Sequence, residues 1–250
     1  MKIAGLMKLT LLDYPGEMAC TIFTSSCNFR CPFCHNSSLV INTESNKLID
    51  NNEVLSFLKE RKGRLDGVCI TGGEPTIQED LTSFIKEIKN IGYKVKLDTN
   101  GYNPKKLKEL ISSNLVDYVA MDIKNSLSKY PLTCGLKAMM LENVLESISY
   151  LLENHVDYEF RTTIIKEFHD ENDLKEIAKL IKGCKRYFLQ QFEDTPYNIQ
   201  KGFHAHSIET LNRFKEILLK EGIQTELRGI WGDRICTKLL KEMAKLLILI

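Results

Sequence analysis

Apolar residues follow two patterns along this chain: short continuous runs, and longer segments in which apolar residues recur every three or four positions. Short runs rich in β-branched and aromatic residues are typical of buried strands, whereas the longer spacing is typical of helices with one buried face. The runs predict six strands, at residues 18–24, 67–71, 93–97, 116–123, 158–165 and 186–190, and a last short strand at residues 224–227.

Helices are predicted between these strands. The helical spacing is clear at residues 51–62, 81–88, 138–152, 174–181 and 208–218; a further helix begins near Pro104, and a terminal helix is predicted at residues 233–247. Because strands and helices alternate, the predicted fold class is α/β with a parallel sheet. Repeated βα units can close into a barrel or form an open doubly wound sheet, and periodicity does not separate the two. With no solenoid repeat and no low-complexity linker, residues 1–250 are expected to form a single domain.

Composition narrows the functional classes. The 250 residues are 43% apolar, which is enough for one large core. The 34 Lys and Arg residues nearly balance the 33 Asp and Glu residues, so the net charge of +1 favours neither nucleic acid nor an anionic membrane as a partner. No apolar run approaches the roughly 20 residues that span a bilayer. The longest, at residues 246–250, is expected to pack against the body of the protein.

The eight cysteines suggest a reducing compartment rather than a disulfide framework. Five of them are scattered, at positions 20, 69, 134, 184 and 236, and the first residues lack the apolar segment and cleavage motif of a secretory signal. A cytoplasmic location is therefore expected. In that compartment, clustered cysteines more often serve metal or redox chemistry than disulfide bonds.

The other three cysteines form a cluster. Cys27, Cys31 and Cys34 are separated by three and two residues and directly follow the first predicted strand. Three thiolates at this spacing can face a single centre, one ligand short of a closed zinc site or of full ligation of an iron–sulfur cluster. A cluster held by three cysteines leaves one iron open to a substrate or cofactor. A zinc site completed by His35 or by a distant ligand is the alternative.

Further candidate side chains also lie at the carboxyl ends of predicted strands. They are Gly72, Gly73, Glu74 and Pro75, then Asp98, Asp122 with Lys124, Arg161, and Gln190 with Gln191. In parallel α/β folds ligands bind at this end of the sheet, because the loops that follow the strands meet there. The placement favours an enzyme.

Each of these features also has a purely structural interpretation. The glycine pair at residues 72–73 suits a tight turn, and Asp98 beside Asn100 suits a polar turn. Asp122 and Lys124 lie on the same face of a strand and could form an ion pair with Arg161 as a neighbour.

Several motifs together resemble those of the radical S-adenosylmethionine superfamily. They are Cys27-x3-Cys31-x2-Cys34 with Phe33, Gly72-Gly73-Glu74-Pro75, Leu12-Asp13-Tyr14-Pro15-Gly16, Cys34-His35-Asn36, Leu97-Asp98-Thr99-Asn100-Gly101 and Met121-Asp122-Ile123-Lys124. Residues 7–191 most resemble the glycyl-radical-enzyme activases, in particular the activating proteins of anaerobic ribonucleoside-triphosphate reductases. Pyruvate formate-lyase activating enzymes are close relatives of that group.

This resemblance implies a fold, two cofactors and a set of ligands. The implied fold is a partial (β/α)6 barrel, similar to a TIM barrel, with a core at about residues 17–191 and a C-terminal helical extension at about residues 192–250. A [4Fe-4S] cluster would be held by Cys27, Cys31 and Cys34, and the amino and carboxylate groups of S-adenosylmethionine would bind its fourth iron. The implied cofactor-binding residues are Phe33 at the adenine, Gly72, Gly73 and Glu74 at the methionine amino group, Asp98 and Asp122 at a monovalent cation, and Lys124 and Arg161 in the lining of the site.

The resemblance also implies a reaction and two protein partners. A low-potential electron donor of the flavodoxin or ferredoxin type would reduce the cluster, and the resulting deoxyadenosyl radical would take a hydrogen atom from a glycine of a glycyl radical enzyme. No catalytic residue beyond the cluster and the cofactor is expected. Two alternatives are a radical enzyme acting on a small molecule, such as a pterin-derived precursor in deazaguanine synthesis, and a non-catalytic metal-binding protein. One departure is the segment Gln191-Phe192-Glu193, where formate-lyase activases have Pro-Tyr-His.

Overall fold

The computed structural model describes residues 1–41 and 43–230, and these residues form a single eight-stranded sheet with helices packed against it. The strands are β1 (Ile3–Thr10), β2 (Ala19–Thr24), β3 (Gly67–Gly72), β4 (Lys94–Thr99), β5 (Tyr118–Asp122), β6 (Asp157–Ile164), β7 (Tyr187–Gln191) and β8 (Thr225–Arg228). They lie side by side in chain order. Strand β1 is antiparallel to β2, and every later pair is parallel.

Eight α-helices connect the strands in the described part of the chain. They are α1 (Ser37–Val40), α2 (Asn51–Glu60), α3 (Leu81–Ile91), α4 (Pro104–Ser112), α5 (Tyr130–Thr133), α6 (Leu141–Leu152), α7 (Glu171–Leu180) and α8 (Ile208–Lys220). Single 3-10 turns occur at Thr43–Ser45 and Pro75–Ile77. No helix among the described residues is long and apolar enough to cross a membrane.

Helix ends are set by local capping chemistry. Helix α7 begins with a capping box, in which the Asp170 carboxylate accepts from the first-turn amides and the Asp173 carboxylate accepts from the Asp170 amide. Helix α4 begins with Asn103 as its cap and Pro104 in its first turn. Helix α3 is capped at its C-terminal end by Gly92, whose φ of 102° is in the left-handed region that glycine tolerates.

The sheet has an apolar face and a polar face near its carboxyl edge. On β4, Val95 and Leu97 are fully buried in the apolar core, and the alternate side chains Lys96 and Asp98 point to the opposite face. Lys96 lies beside Cys69 of β3 in the register of the sheet. The parallel strands therefore aim polar side chains at one interior surface, as expected for a partial barrel.

The predicted fold class and all seven predicted strands are confirmed, and the strand ends differ by no more than two residues. Strand β1 is missing from the prediction. Only Ile3 and Thr10 of its eight residues are buried, so it carries no clear alternation of apolar and polar positions. The four-residue helices α1 and α5 are also missing from it. The predicted helix at residues 233–247 and the apolar tail at 246–250 lie outside the described residues.

The six strands β2 to β7 are parallel neighbours, so their carboxyl ends lie at one edge of the sheet. Strands β2 to β7 are the six predicted parallel strands, and β8 extends the same parallel array at the edge opposite β1. The proposed division into a core at 17–191 and an extension at 192–250 stays a prediction.

Candidate active site

One cavity at the carboxyl edge of the sheet brings most of the candidate residues together; Pro75, Gln190 and Gln191 do not line it. It is lined by the loop that follows β2 and by the ends of strands β3, β4, β5 and β6. The predicted residues in its lining are Cys27, Cys31, Cys34, Phe33, Gly72, Gly73, Glu74, Asp98, Asp122, Lys124 and Arg161. Residues separated by more than 130 positions in the chain thus face the same space.

The cysteine loop is anchored at its start and in its middle by backbone hydrogen bonds. The amide of Ser26 donates to the carbonyl of Leu39 at 2.7 Å, and the amide of Arg30 donates to the carbonyl of Cys134 at 2.9 Å. Ser26 has a φ of 78°, which turns the chain sharply out of β2. The amide of Cys34 donates to the carbonyl of Cys31 at 3.0 Å, so the second and third thiols lie on one tight turn.

The donor set of this loop fits a cluster held by three thiolates. All three cysteines are free thiols that line the cavity, and the backbone amide of Phe29 donates to Cys27 Sγ at 3.4 Å. Each thiolate would bind a different iron, so the three sulfurs need not converge on one point. Within residues 1–41 and 43–230, no three His, Cys, Asp or Glu side chains are grouped closely enough to hold one metal ion.

Cys134 is a neighbour that the sequence did not single out. Its thiol forms a hydrogen bond with Cys31, and this bond lowers the pKa of Cys31 although burial acts in the opposite direction. The turn that carries Cys134 touches the cysteine loop closely. At the next residue, Gly135, a Cβ would collide with the carbonyl group of Arg30.

The glycine pair allows the end of β3 to pack directly on the start of the cysteine loop. The Gly73 amide donates to the Thr24 carbonyl at 2.8 Å, and the Glu74 amide donates to the Ser26 carbonyl at 2.8 Å. A Cβ on Gly72 would strike the Thr24 backbone, and a Cβ on Gly73 would strike the Ser26 carbonyl. The pair is therefore required by close backbone packing beside the cavity, which goes beyond the simple turn considered from the sequence.

Glu74 has a buried carboxylate that is held by groups from two loops. Its Oε1 accepts from the amide and hydroxyl of Thr76 at 3.1 and 2.5 Å and from the hydroxyl of Thr99 at 2.7 Å. Its Oε2 accepts from the amide of Asn100 at 2.7 Å. Burial raises the pKa of Glu74, although these hydrogen bonds act in the opposite direction. The side chain thus fastens the loop after β3 to the end of β4.

Charged side chains form a continuous series across β4, β5 and β6, which we call the charge chain. Its members, in order of contact, are Lys96, Asp98, Arg161, Asp122 and Lys124. Lys96 pairs with Asp98, whose other oxygen lies 3.3 Å from an Arg161 terminal nitrogen. Arg161 Nε donates to Asp122 at 3.0 Å, and Lys124 Nζ donates to the second Asp122 oxygen at 2.8 Å.

The charge chain holds its carboxylates ionised. Burial alone would raise the pKa of Asp122, but Lys124 and Arg161 lower it to about 2. In Asp98, Arg161 and Lys96 likewise outweigh burial and lower the pKa. The ion pair considered from the sequence, Asp122 with Lys124 and Arg161 as its neighbour, is present and forms part of the cavity lining.

Aromatic residues close one side of the cavity. Phe33 is buried, with its ring 5.8 Å from the Phe168 ring, and Phe168 in turn lies 5.2 Å from Phe203. In the segment that departs from the formate-lyase activases, Phe192 is buried and its ring lies 5.8 Å from that of His35.

Four residues near the site were missed from the sequence: Lys96, Asn100, Cys134 and His169. A lysine in the middle of a buried strand, two positions before Asp98, was a usable signal for Lys96 because residues two apart share a face. His169 had no comparable signal. Its ring lies under the β5 end, with Nε2 2.9 Å from the carbonyl oxygen of Lys124.

Comparison with known proteins agrees with this geometry. The sequence profile of the radical SAM superfamily matches residues 21–181. A protein of Methanocaldococcus jannaschii, provisionally named a glycyl-radical enzyme activating enzyme, is 36% identical over 197 residues, covering 76% of this chain and 80% of that protein. A second protein of this organism with the same type of name is 31% identical over 188 residues, covering 72% of this chain and 65% of that protein.

A solved structure shares the fold at lower identity. The crystal structure of a domain of pyruvate-formate lyase-activating enzyme from Bacteroides vulgatus aligns with a TM-score of 0.55 and 20% identity, covering 66% of this chain and 99% of that domain.

A three-cysteine loop at the carboxyl edge of a partial α/β barrel defines a class of iron–sulfur enzymes. Within that class, this chain belongs to the radical SAM superfamily and is a radical SAM enzyme. Enzymes of the superfamily use a [4Fe-4S] cluster and S-adenosylmethionine.

Proposed function

We propose that this protein is an activating enzyme that takes a hydrogen atom from a glycine of a partner glycyl radical enzyme, and that this partner is an anaerobic ribonucleoside-triphosphate reductase. The observation that carries the proposal is the convergence of three free thiols and the polar strand ends on one cavity. The names of the two M. jannaschii relatives support an activating role. The resemblance of the motifs, taken together, supports the reductase as partner, and the departure at residues 191–193 weakens the formate-lyase alternative.

In this proposal Cys27, Cys31 and Cys34 hold the [4Fe-4S] cluster. When bound, the cluster and S-adenosylmethionine supply an electron and a carbon radical that this chain's own side chains cannot generate. The side chains and backbone of the protein would bind and orient these two groups. The backbone at residues 72–75 would receive the methionine amino group, because the Glu74 carboxylate is already bonded to Thr76, Thr99 and Asn100.

The charges and rings of the cavity suit the other parts of S-adenosylmethionine. The charge chain contains three cations and two carboxylates, so it carries one excess positive charge with which to hold the methionine carboxylate. Lys124 and Arg161, which line the cavity, would make these contacts. Phe33 would lie against the adenine, and its packing on Phe168 would keep water from that side.

The proposed reaction needs a reduced cluster and a reducing compartment. We propose a flavodoxin or ferredoxin as the electron donor and the cytoplasm as the location. The seven cysteines of the described residues are all free thiols, which supports such a compartment.

Electron paramagnetic resonance tests the proposal directly. The anaerobically reconstituted protein would be mixed with dithionite, S-adenosylmethionine and a purified anaerobic ribonucleoside-triphosphate reductase. We expect the doublet of a glycyl radical on the reductase. A reductase whose target glycine is replaced by alanine is the matched control and should show no doublet.

The same samples separate the alternatives. A doublet on pyruvate formate-lyase but not on the reductase would keep the activating role and contradict the partner. Release of deoxyadenosine that depends on a small molecule, with no doublet on any glycyl radical enzyme, would favour the small-molecule reaction. Binding of one zinc ion without charge-transfer absorbance near 400 nm would favour a non-catalytic metal protein.

A further inference from the structure

The carboxylates of Asp98 and Asp122 are the groups that the family resemblance assigns to a monovalent cation. All four of their oxygens already face cationic groups of this chain. Asp98 Oδ1 accepts from Lys96 Nζ, and Asp98 Oδ2 lies 3.3 Å from an Arg161 terminal nitrogen. Asp122 Oδ1 accepts from Arg161 Nε at 3.0 Å, and Asp122 Oδ2 accepts from Lys124 Nζ at 2.8 Å.

These residues do not fit a bound monovalent cation. Such an ion requires several oxygen ligands, and both carboxylates are already committed to nitrogen donors. An ion placed between Asp98 and Asp122 would also lie beside the Arg161 guanidinium, which bridges the two carboxylates. Like charges at such distances repel strongly in a partly buried site.

Lys96 is the member of the charge chain that lies furthest from solvent. Its side chain is 2% exposed, against 14% for Arg161 and 18% for Lys124. It projects from β4 one layer below Asp98, beside Cys69, whose Sγ lies 3.9 Å from its ammonium nitrogen. Since it does not line the cavity, Lys96 is placed to act on a ligand through Asp98 and not by direct contact.

A charge count shows what Lys96 contributes. With Lys96 the charge chain has three cations and two carboxylates, an excess of one positive charge; without it the numbers are equal. One added monovalent ion would restore the same excess. Asp98 Oδ1, freed from Lys96, would then become available as a ligand for that ion.

We propose that Lys96 is a built-in substitute for the monovalent cation: its ammonium neutralises Asp98 from below, so that S-adenosylmethionine binds without potassium or sodium. Lys96 is thus a positioning residue. The inference depends on the cofactor site of the proposed function and is independent of the protein partner.

The test is a measurement of S-adenosylmethionine binding. Isothermal titration of the full-length, anaerobically reconstituted protein would be carried out in a buffer whose only cation is tetramethylammonium, and again with potassium or sodium at equal ionic strength. For the native protein we expect the same dissociation constant in all three buffers, within about twofold, because every carboxylate oxygen of Asp98 and Asp122 already faces a cationic group.

Substitution of Lys96 should make the binding of S-adenosylmethionine depend on potassium or sodium. For Lys96→Met we expect about tenfold weaker binding in tetramethylammonium and recovery of most of that loss with potassium or sodium. Lys96→Arg keeps the charge and should stay independent of the ion. Lys94→Met is the matched control, since Lys94 is on the same strand, is exposed and pairs with Glu17 away from the cavity. Iron content and far-ultraviolet circular dichroism would confirm that each variant is folded and loaded.

The binding measurements separate failure of the Lys96 proposal from failure of the proposed function. Tighter binding of S-adenosylmethionine by the native protein when potassium or sodium is added would overturn it, and this measurement needs no variant. A folded Lys96→Met protein with native affinity in every buffer would also overturn it. A native protein that binds S-adenosylmethionine but produces no glycyl radical would contradict only the proposed function. Failure of the loaded native protein to bind S-adenosylmethionine at all would overturn both.

Discussion

The carboxylate of Glu74 accepts a 2.7 Å hydrogen bond from the backbone amide of Asn100, and this bond joins the loop after β3 to the end of β4. Asn100 continues the connection, because its side-chain amide donates to Asn28 Oδ1 at 2.8 Å and lies 4.0 Å from Cys27 Sγ. Glu74 therefore acts on the first cysteine of the cluster loop through Asn100. The loop after β3 and the cysteine loop are thereby held together.

Replacing Glu74 by Gln should weaken the connection between the loop after β3 and the cysteine loop. A glutamine has one acceptor oxygen where the carboxylate has two, and its NH2 group would face donors that now bond to a buried acceptor. We expect a loss of about 2–3 kcal/mol in the free energy of unfolding, measured by urea denaturation. Glu79→Gln, at an exposed position nearby, should change stability by less than about 0.5 kcal/mol. Equal stability of the two variants would show that the buried hydrogen bonds of Glu74 are not required.

A methyl group on Gly73 should separate the end of β3 from the cysteine loop. The new Cβ would collide with the Ser26 carbonyl, which is backbone and cannot rotate away. We expect Gly73→Ala to lose about 1–3 kcal/mol of stability and to take up less iron during anaerobic reconstitution.

Gly5 provides the control for this substitution. It lies on β1, and a Cβ there would meet the Phe23 side chain at an ordinary contact distance of 3.5 Å. Gly5→Ala should therefore keep native stability and iron content. If Gly73→Ala incorporated iron as the native protein does, close packing of these two loops would not be needed for the cluster.

His169 should make the fold sensitive to mild acid. Its Nδ1 accepts from the Ile165 amide at 3.1 Å and its Nε2 donates to the Lys124 carbonyl at 2.9 Å, so the neutral ring is the form that fits. Burial lowers the pKa of His169 to about 4, and His206 acts in the same direction, although the hydrogen bond to the Lys124 carbonyl and the charge of Asp173 act to raise it.

The linkage between proton binding at His169 and folding gives the direction in which stability changes with pH. Between pH 4 and the ordinary histidine pKa of about 6.5, the unfolded chain binds a proton at this position and the folded protein does not, so stability falls as the pH is lowered. Each pH unit in this window costs about 1.4 kcal/mol, which gives about 3 kcal/mol near pH 4. Urea denaturation at several pH values should show a shallower decline for His169→Gln, which cannot titrate. An equal decline of stability with falling pH in both proteins would show that His169 is not the source of the acid sensitivity.

The sequence was sufficient for the parts of the site that depend on local spacing. Cys27, Cys31 and Cys34 are close in the chain, so their spacing alone restricts them to one loop. That Asp98 and Asp122 face one cavity could be predicted, because each lies at the end of a buried strand and parallel strands present their carboxyl ends at one edge.

Contacts between strands could not be predicted in the same way. That Arg161 would bridge Asp98 and Asp122 depends on the register of β4, β5 and β6, which the pattern of a single chain does not determine. Lys96 was passed over for a different reason, because its partner Asp98 lies on the same strand and no register between strands is involved. A lysine inside an apolar strand is usually placed at an edge or in solvent, and only the pairing with Asp98 makes its burial possible.

Cys31→Ala removes one of the three proposed cluster ligands from a loop that is otherwise fastened by the Arg30–Cys134 backbone hydrogen bond. We expect the fold to remain, as read by circular dichroism, while anaerobic incubation with dithionite and S-adenosylmethionine releases no deoxyadenosine. Cys184→Ala is the matched control, because Cys184 is a buried free thiol that does not line the cavity. It should retain release at the native rate. Native-like cleavage by Cys31→Ala would refute the ligand assignment, because two cysteines would then be sufficient to hold a competent cluster.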